Sequence, residues 1–286
     1  MPNLANLPIA DVQAGAVLWN TGFKNYLING DFAINQRGFA GGALAAGVYG
    51  FDRWKAGTGG CTVSLSAGVM THTSGPLVQV IEAPNLAGKT ITVSVEGLSG
   101  GSLNVNVEGV TGVIAASAVR AGVTLNVPST STGNVTVTLT PASGTVTYKR
   151  VQVEVGSAAT VFEWRPAQVE ISLCQRYYEK SYDISVAPGT VTSVGDYAVY
   201  NDQLNSSLHI AGLSVVFKTT KRNSSTINTY STVTGVSGKS ADLVGAVDVN
   251  SGVSNIGNSG FFNGAQNAIA SVSYNFQWQW TADSEL

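Results

Sequence analysis

At 286 residues the chain is long for one domain, so two are expected, with enough length to bury a core unaided. Charged residues make up 11% of it against about a quarter in typical globular chains, and the net charge is −2 with no basic block. That composition excludes electrostatic binding of nucleic acid and argues against disorder. No run reaches the roughly 18 apolar residues of a membrane span, so no membrane insertion is expected. The N-terminus lacks the charged-then-apolar pattern of a secretory signal. Cys61 and Cys174 are too few for a disulfide framework and are expected to pack as small hydrophobes, which fits a chain made in a reducing cytoplasm.

Residues 1–24 carry Leu4, Leu7, Ile9, Val12, Val17, Leu18 and Trp19 at spacings of neither helix nor strand. Two readings stand: an arm packed on its own domain, or an attachment segment docking onto a larger assembly. In 25–54, Asn29-Gly30 is a turn dipeptide between apolar pairs, and Asp52 and Arg53 are placed to pair across a bend while Trp54 turns inward. From Cys61 to Val155 short alternating runs recur about every ten residues with glycines between them, the spacing of a sandwich or jelly roll. They are TVSLSAG, VQVIEA, KTITVSVEG, SLNVNVEG, VTLNV, NVTVTLT and TVTYKRVQVEV.

Pro166 then suits a helix start, Glu170 suits its dipole, and Val169, Leu173 and Tyr177 form one apolar stripe. Beyond it, DYAVYN, SLHIAGLSVVF, INTYSTVTG and ADLVGAVDV read as strands, and SGVSNIGNSGFFNGAQN reads as a loop. In SVSYNFQWQW, Tyr274, Phe276, Trp278 and Trp280 alternate with polar residues, which predicts a strand with one aromatic face, in the core or at a subunit interface, with an aromatic sugar platform as the alternative. The expected architecture is all-β: an arm (1–24), a jelly-roll β-sandwich (25–165), a linker helix (166–182) and a second β domain (183–286).

Catalytic motifs fail on context. Gly97-Leu98-Ser99-Gly100-Gly101 matches a nucleophile elbow but lies between two alternating strands, where it reads as a hairpin turn. Gly238-Lys239-Ser240 has the tail of a P-loop, but Val233 stands where the first glycine belongs. His72 and His209 sit in no triad pattern, and no Cys or His pair has metal-ligand spacing. Asp31 with Asp52, or Glu154 with Glu163, are the carboxylate pairs a glycosidase would need, although Glu163 is more simply the partner of Arg165. No catalysis, no cofactor and no metal are expected. A charge-poor protein holds a neutral sugar with aromatic faces and amides. Phe261, Phe262 and Asn263 are the best candidates for that, with Tyr230 and Trp54 behind them. The alternative for Phe261 and Phe262 is anchoring their loop, and for Trp54 a place in the core.

Several separated segments carry a family resemblance: NYLINGDFAINQRG, YGFDRW, VEVGSAATVFEWRP, LCQRYYE and the terminal WTADSEL. The chain resembles phage and prophage tail-fibre proteins over nearly all of 25–286. In related lectin-like jelly rolls an acidic residue soon after the NGDF turn binds calcium. Ala33 and Ile34 stand there in this chain, leaving only Asp31 to contribute, and Ser284 replaces the usual terminal alanine. The resemblance implies a trimeric virion fibre, mounted through its N-terminal arm, that binds a host cell-surface polysaccharide. The alternatives are a structural connector or head-decorating fibre without a ligand and, more remotely, a glycan-cleaving tail enzyme.

Overall fold

The computed structural model describes residues 23–201, 210–266 and 273–286. Apart from Phe23 and Lys24, the expected arm lies outside the described residues, as does His209. The first unit runs β1 (Gly42–Leu44), β2 (Lys55–Ala56), β3 (Cys61–Ser66), β4 (Val69–Ser74), β5 (Leu77–Ile81), β6 (Thr90–Ser99), β7 (Leu103–Val107), β8 (Val110–Ile114), β9 (Ala121–Asn126), β10 (Val135–Pro141) and β11 (Val146–Val155). Helix α1 (Ala167–Gln175) follows. The second unit holds β12 (Tyr178–Lys180), β13 (Tyr197–Asn201), β14 (Ile210–Val216), β15 (Thr226–Ser231), β16 (Lys239–Asp242), β17 (Val247–Asn250), β18 (Gly252–Ser254), β19 (Gly260–Gln266) and β20 (Tyr274–Asp283). The protein is all-β, a jelly-roll sandwich joined by a short helix to a second β domain.

The sandwich faces a six-stranded sheet, β1-β3-β4-β11-β6-β9, with a five-stranded one, β2-β5-β10-β7-β8, all antiparallel. Alternation puts Ile91, Val93 and Val95 of β6 opposite Leu103, Val105 and Val107 of β7 in one continuous core. The Gly97–Gly101 segment is therefore no hairpin. β6 and β7 belong to different sheets, and the turn crosses between them with Gly100 and Gly101 at φ +83 and +153. Trp54 is fully buried and donates its indole N–H to Asn29 O at 2.9 Å.

In the second unit β20 is the spine, pairing with β12, β13, β15 and β16. Phe276, Trp278 and Trp280 are buried against β14 and β19. The run ADLVGAVDV is two strands with a turn between them, and the expected loop SGVSNIGNSGFFNGAQN is, over its described residues 251–266, the β18–β19 hairpin. The helix is shorter than expected because Tyr178–Lys180 pair with Lys180↔Thr281 register on β20, taking residues that helix would need. Tyr177 falls beyond its end, and Cys174 is what α1 buries most deeply.

The two units meet through polar groups drawn from all the recognisable segments. Arg37 reaches Asp52 at 3.2 Å, Asp283 at 3.1 Å and Glu285 at 3.4 Å. Arg53 pairs with Glu285, not with Asp52, and stacks 3.4 Å above the Tyr177 ring. Gln36 donates to Tyr178 O at 2.8 Å, and Tyr49 donates to Leu286 O at 2.6 Å. Arg165 pairs with Glu163 at 3.1 Å, as expected, and with Glu170 at 3.2 Å. Glu170 also accepts from Asn29 N, so the first turn of α1 is tied to the NGDF segment.

Candidate functional site

The three-stranded sheet β14-β19-β18 packs one face on the second core, through Val215, Phe261 and Ala265. Its other face follows from period-2 alternation: Ile210, Gly212, Ser214 and Val216 on β14, Phe262, Gly264 and Gln266 on β19, and Gly252 and Ser254 on β18. None is charged. The register sets Gly212, Gly264 and Gly252 in one row across the sheet and Ser214, Phe262 and Ser254 in the next.

The row of glycines decides how the Phe262 ring lies. A Cβ on Gly212 would fall 2.4 Å from Phe262 Cζ, and one on Gly264 would fall 3.1 Å from Cε1. The ring therefore leans over bare backbone at Gly212 and Gly264 that any side chain would occupy. An open trough of about 610 Å³ runs past it. Lys239 and Asn250 line its side, the ammonium bonded to the Asn250 amide oxygen at 2.8 Å. Asp248 accepts from the Ser231 hydroxyl at 2.5 Å and also from Thr234. The charges in the wall are thus already engaged, and the amides of Asn250 and Gln266 stand exposed.

Of the five residues named from sequence, the structure brings only Phe262 to this surface. Phe261 packs edge-on against Trp280 at 5.5 Å, and Asn263 is fully buried, its amide 3.4 Å from the Ser240 hydroxyl. Both face the core because they neighbour Phe262 on an alternating strand rather than a loop. Trp54 offers no face to a ligand either, being interior to the sandwich. Tyr230 is half-buried on β15, edge-on to Tyr182, and does not line the trough. Sequence reasoning missed Asn250, Gln266 and the glycine row. The signal was present as glycines two residues apart from Phe262 in GFFNG, but it is readable only once the segment is known to be a strand.

The carboxylates considered for catalysis are held elsewhere. Asp52 is buried and accepts from Gln36 N at 2.6 Å, Glu154 accepts from Thr160 N at 2.9 Å, and Glu163 accepts from Asn25 N at 2.9 Å. Asp31 accepts from Ala33 N at 3.3 Å. Among the described residues no cluster of three His, Cys, Asp or Glu forms that could hold a metal ion.

No family model matches the sequence. No curated protein matches it. Solved structures similar in part include one described as "CBM4 structure and function", 16% identical with a TM-score of 0.29, covering 45% of this chain and 98% of that one. A carbohydrate binding module of family 29 is 14% identical with a TM-score of 0.27, covering 43% of this chain and 93% of that one. The recombinant discoidin II of Dictyostelium discoideum is 11% identical with a TM-score of 0.24, covering 89% and 94%. Likeness at this level carries no argument about a ligand, and the β-sandwich assignment rests on the sheets themselves.

Proposed function

We propose that this chain is a non-catalytic, glycan-binding fibre or spike protein of a phage virion, with the Phe262 trough as its sugar platform. The observation that carries the ligand class is the Phe262 ring lying over a row of glycines on an uncharged sheet face beside exposed amides. A flat apolar face stacks on the C–H surface of a sugar, and amides supply paired donors and acceptors to its hydroxyls. The virion setting and attachment through the N-terminal segment rest on the sequence motifs. So does a homotrimer, in which three weak sites would act together without new contacts.

A glycan array with purified protein tests the reading. Saturable binding to a host polysaccharide is expected, weakened at least about tenfold, or ~1.4 kcal/mol, in Phe262→Leu, which keeps apolar bulk but loses the aromatic face. Binding that survives Phe262→Leu unchanged would remove the trough from the proposal. Sedimentation of the same samples checks the trimer. The apolar Ile210 and Val216 share the face with Phe262 and are exposed, which favours the connector as second reading. Under it no polysaccharide binds, and Phe262→Leu breaks the oligomer instead.

A further inference from the structure

Where the two β units meet, α1, β12 and the segment after β12 enclose a cleft of about 480 Å³. Its walls are mostly polar: Gln36 from the sandwich, Gln175 from the helix, and Lys180, Tyr182, Asp183 and Lys218 from the second unit. Lys180 is only 2% exposed. It joins no ion pair among the described residues. Its ammonium donates to Ile184 O at 2.9 Å and Val186 O at 2.5 Å. An ammonium carries three donors, so one N–H is left for the cleft.

A second group there is also unspent. Gln175 is 7% exposed, and its carboxamide has no hydrogen-bond partner among the described residues, although its main-chain carbonyl accepts from Lys221. The Tyr182 hydroxyl accepts from Gly189 N at 3.1 Å, which leaves its own proton to donate. Burial pushes the Lys180 ammonium down to about 8, with Asp52 and Asp183 pulling the other way. A buried charge without a counter-ion is costly, and a hydrogen-bonded anion supplies the missing partner. Among the described lining residues Asp183 is the one carboxylate; it is exposed, as is Lys218, whose charge offsets it.

We propose that this junction cleft is an oxyanion site, taking the carboxylate or phosphate group of a small acidic ligand on the Lys180 ammonium, the Gln175 carboxamide and the Tyr182 hydroxyl. The site is separate from the Phe262 trough and stands whether or not the trough binds sugar. Its occupant is either an acidic sugar unit or a free phosphate, which share this chemistry.

Isothermal titration of the full chain with glucuronate, with inorganic phosphate and with glucose distinguishes them. At least one anion is expected to bind saturably, and to do so in Phe262→Leu, where glucose does not. Glucuronate tighter than phosphate assigns the site to an acidic sugar, and the reverse order assigns it to phosphate. Lys180→Met is expected to weaken the anion at least about tenfold, the scale of a lost charged hydrogen bond. Gln175→Leu removes a donor without touching the buried charge, so it tests the site even where Lys180→Met fails to fold, and a severalfold weakening is expected. Phe262→Leu is expected to leave the anion affinity unchanged, so the two sites fail separately. Absence of saturable heat from both anions, or unchanged affinity in folded Gln175→Leu, would overturn the proposal.

Discussion

Phe261 and Phe262 are adjacent and chemically identical, yet one is core and the other is surface, because successive side chains on a strand point to opposite faces. The surface one leans over bare backbone only because Gly212 on the neighbouring strand and Gly264 two residues on along its own strand have no Cβ. Gly212→Ala is accordingly expected to lift the ring and weaken any ligand of the trough, and to destabilise the fold as well, since the new Cβ would also fall 2.4 Å from Asn263 O. A urea melt beside the binding assay separates the two effects.

His72 is the other residue whose setting decides its chemistry. It is fully buried, with Nδ1 3.1 Å from the Tyr148 hydroxyl and Nε2 2.7 Å from Gly75 O. Those partners assign the proton to Nε2 of a neutral ring. Burial pushes its pKa down to about 4, with main-chain bonding to Gly75 and Ser74 opposing. Between an ordinary histidine value and 4 the unfolded chain binds a proton that the folded chain refuses, so His72 costs stability as pH falls through that window. Asp52 acts in the opposite sense: burial lifts its carboxyl to about 6 against Arg37 and Gln36, so folding is favoured on acidification over its own window. His72→Gln should leave the Asp52 contribution alone. The stability difference between wild type and this variant is expected to move in the variant's favour by about 2–3 kcal/mol between pH 7 and 4, read from urea melts at both. A difference that stays constant would show that His72 does not titrate in this way.

At the scale of elements, β20 and α1 contrast. β20 hydrogen-bonds to four other strands and buries three aromatic side chains, so the second unit is built around it. Trp278→Ala is expected to cost about 3–5 kcal/mol, the range for removing a large buried aromatic. The helix has nine residues, too few to be stable alone, and is held by what it touches. Its half-buried Leu173 lines an open cleft beside Phe23 and Tyr177, while Cys174 is fully buried. Cys174→Asp should therefore destabilise by at least about 3 kcal/mol, through an unpaired buried charge, and Leu173→Asp by markedly less. Denaturant midpoints for the pair of variants would check the order, and a larger loss in Leu173→Asp would mean that the stripe, not Cys174, anchors the helix.

For the whole molecule the decisive feature is the joint. Arg53 and Glu285 are 1% and 4% exposed, and Glu285 also serves Arg37. Burial works against the Arg37 charge, and Glu285, Asp52 and Asp283 outweigh it, so its pKa is raised. Breaking a buried pair by removing one partner costs about 3–5 kcal/mol, because the other charge is left unpaired. Glu285→Ala is expected to weaken the joint rather than either core, splitting one calorimetric transition into two. A single transition displaced to lower temperature would mean that the units unfold together regardless.

The sequence by itself determined the all-β class and most strands of the sandwich, because alternation and glycine spacing are local signals set by backbone geometry. It also placed Phe276, Trp278 and Trp280 on one face, for the same reason. It misread the β18–β19 hairpin as loop, since glycine and asparagine mark turns and also floor an exposed sheet face. It set the helix too long, because only the long-range pairing of Tyr178–Lys180 with β20 ends it. It paired Asp52 with Arg53, its nearest opposite charge, where folding gives Asp52 to Arg37 and Arg53 to Glu285, 232 residues away. What only the tertiary structure decided is the half-buried surface place of Phe262, the interior place of Phe261, Asn263 and Trp54, and the joint itself. Each depends on register or on contacts between distant residues, neither of which local periodicity encodes.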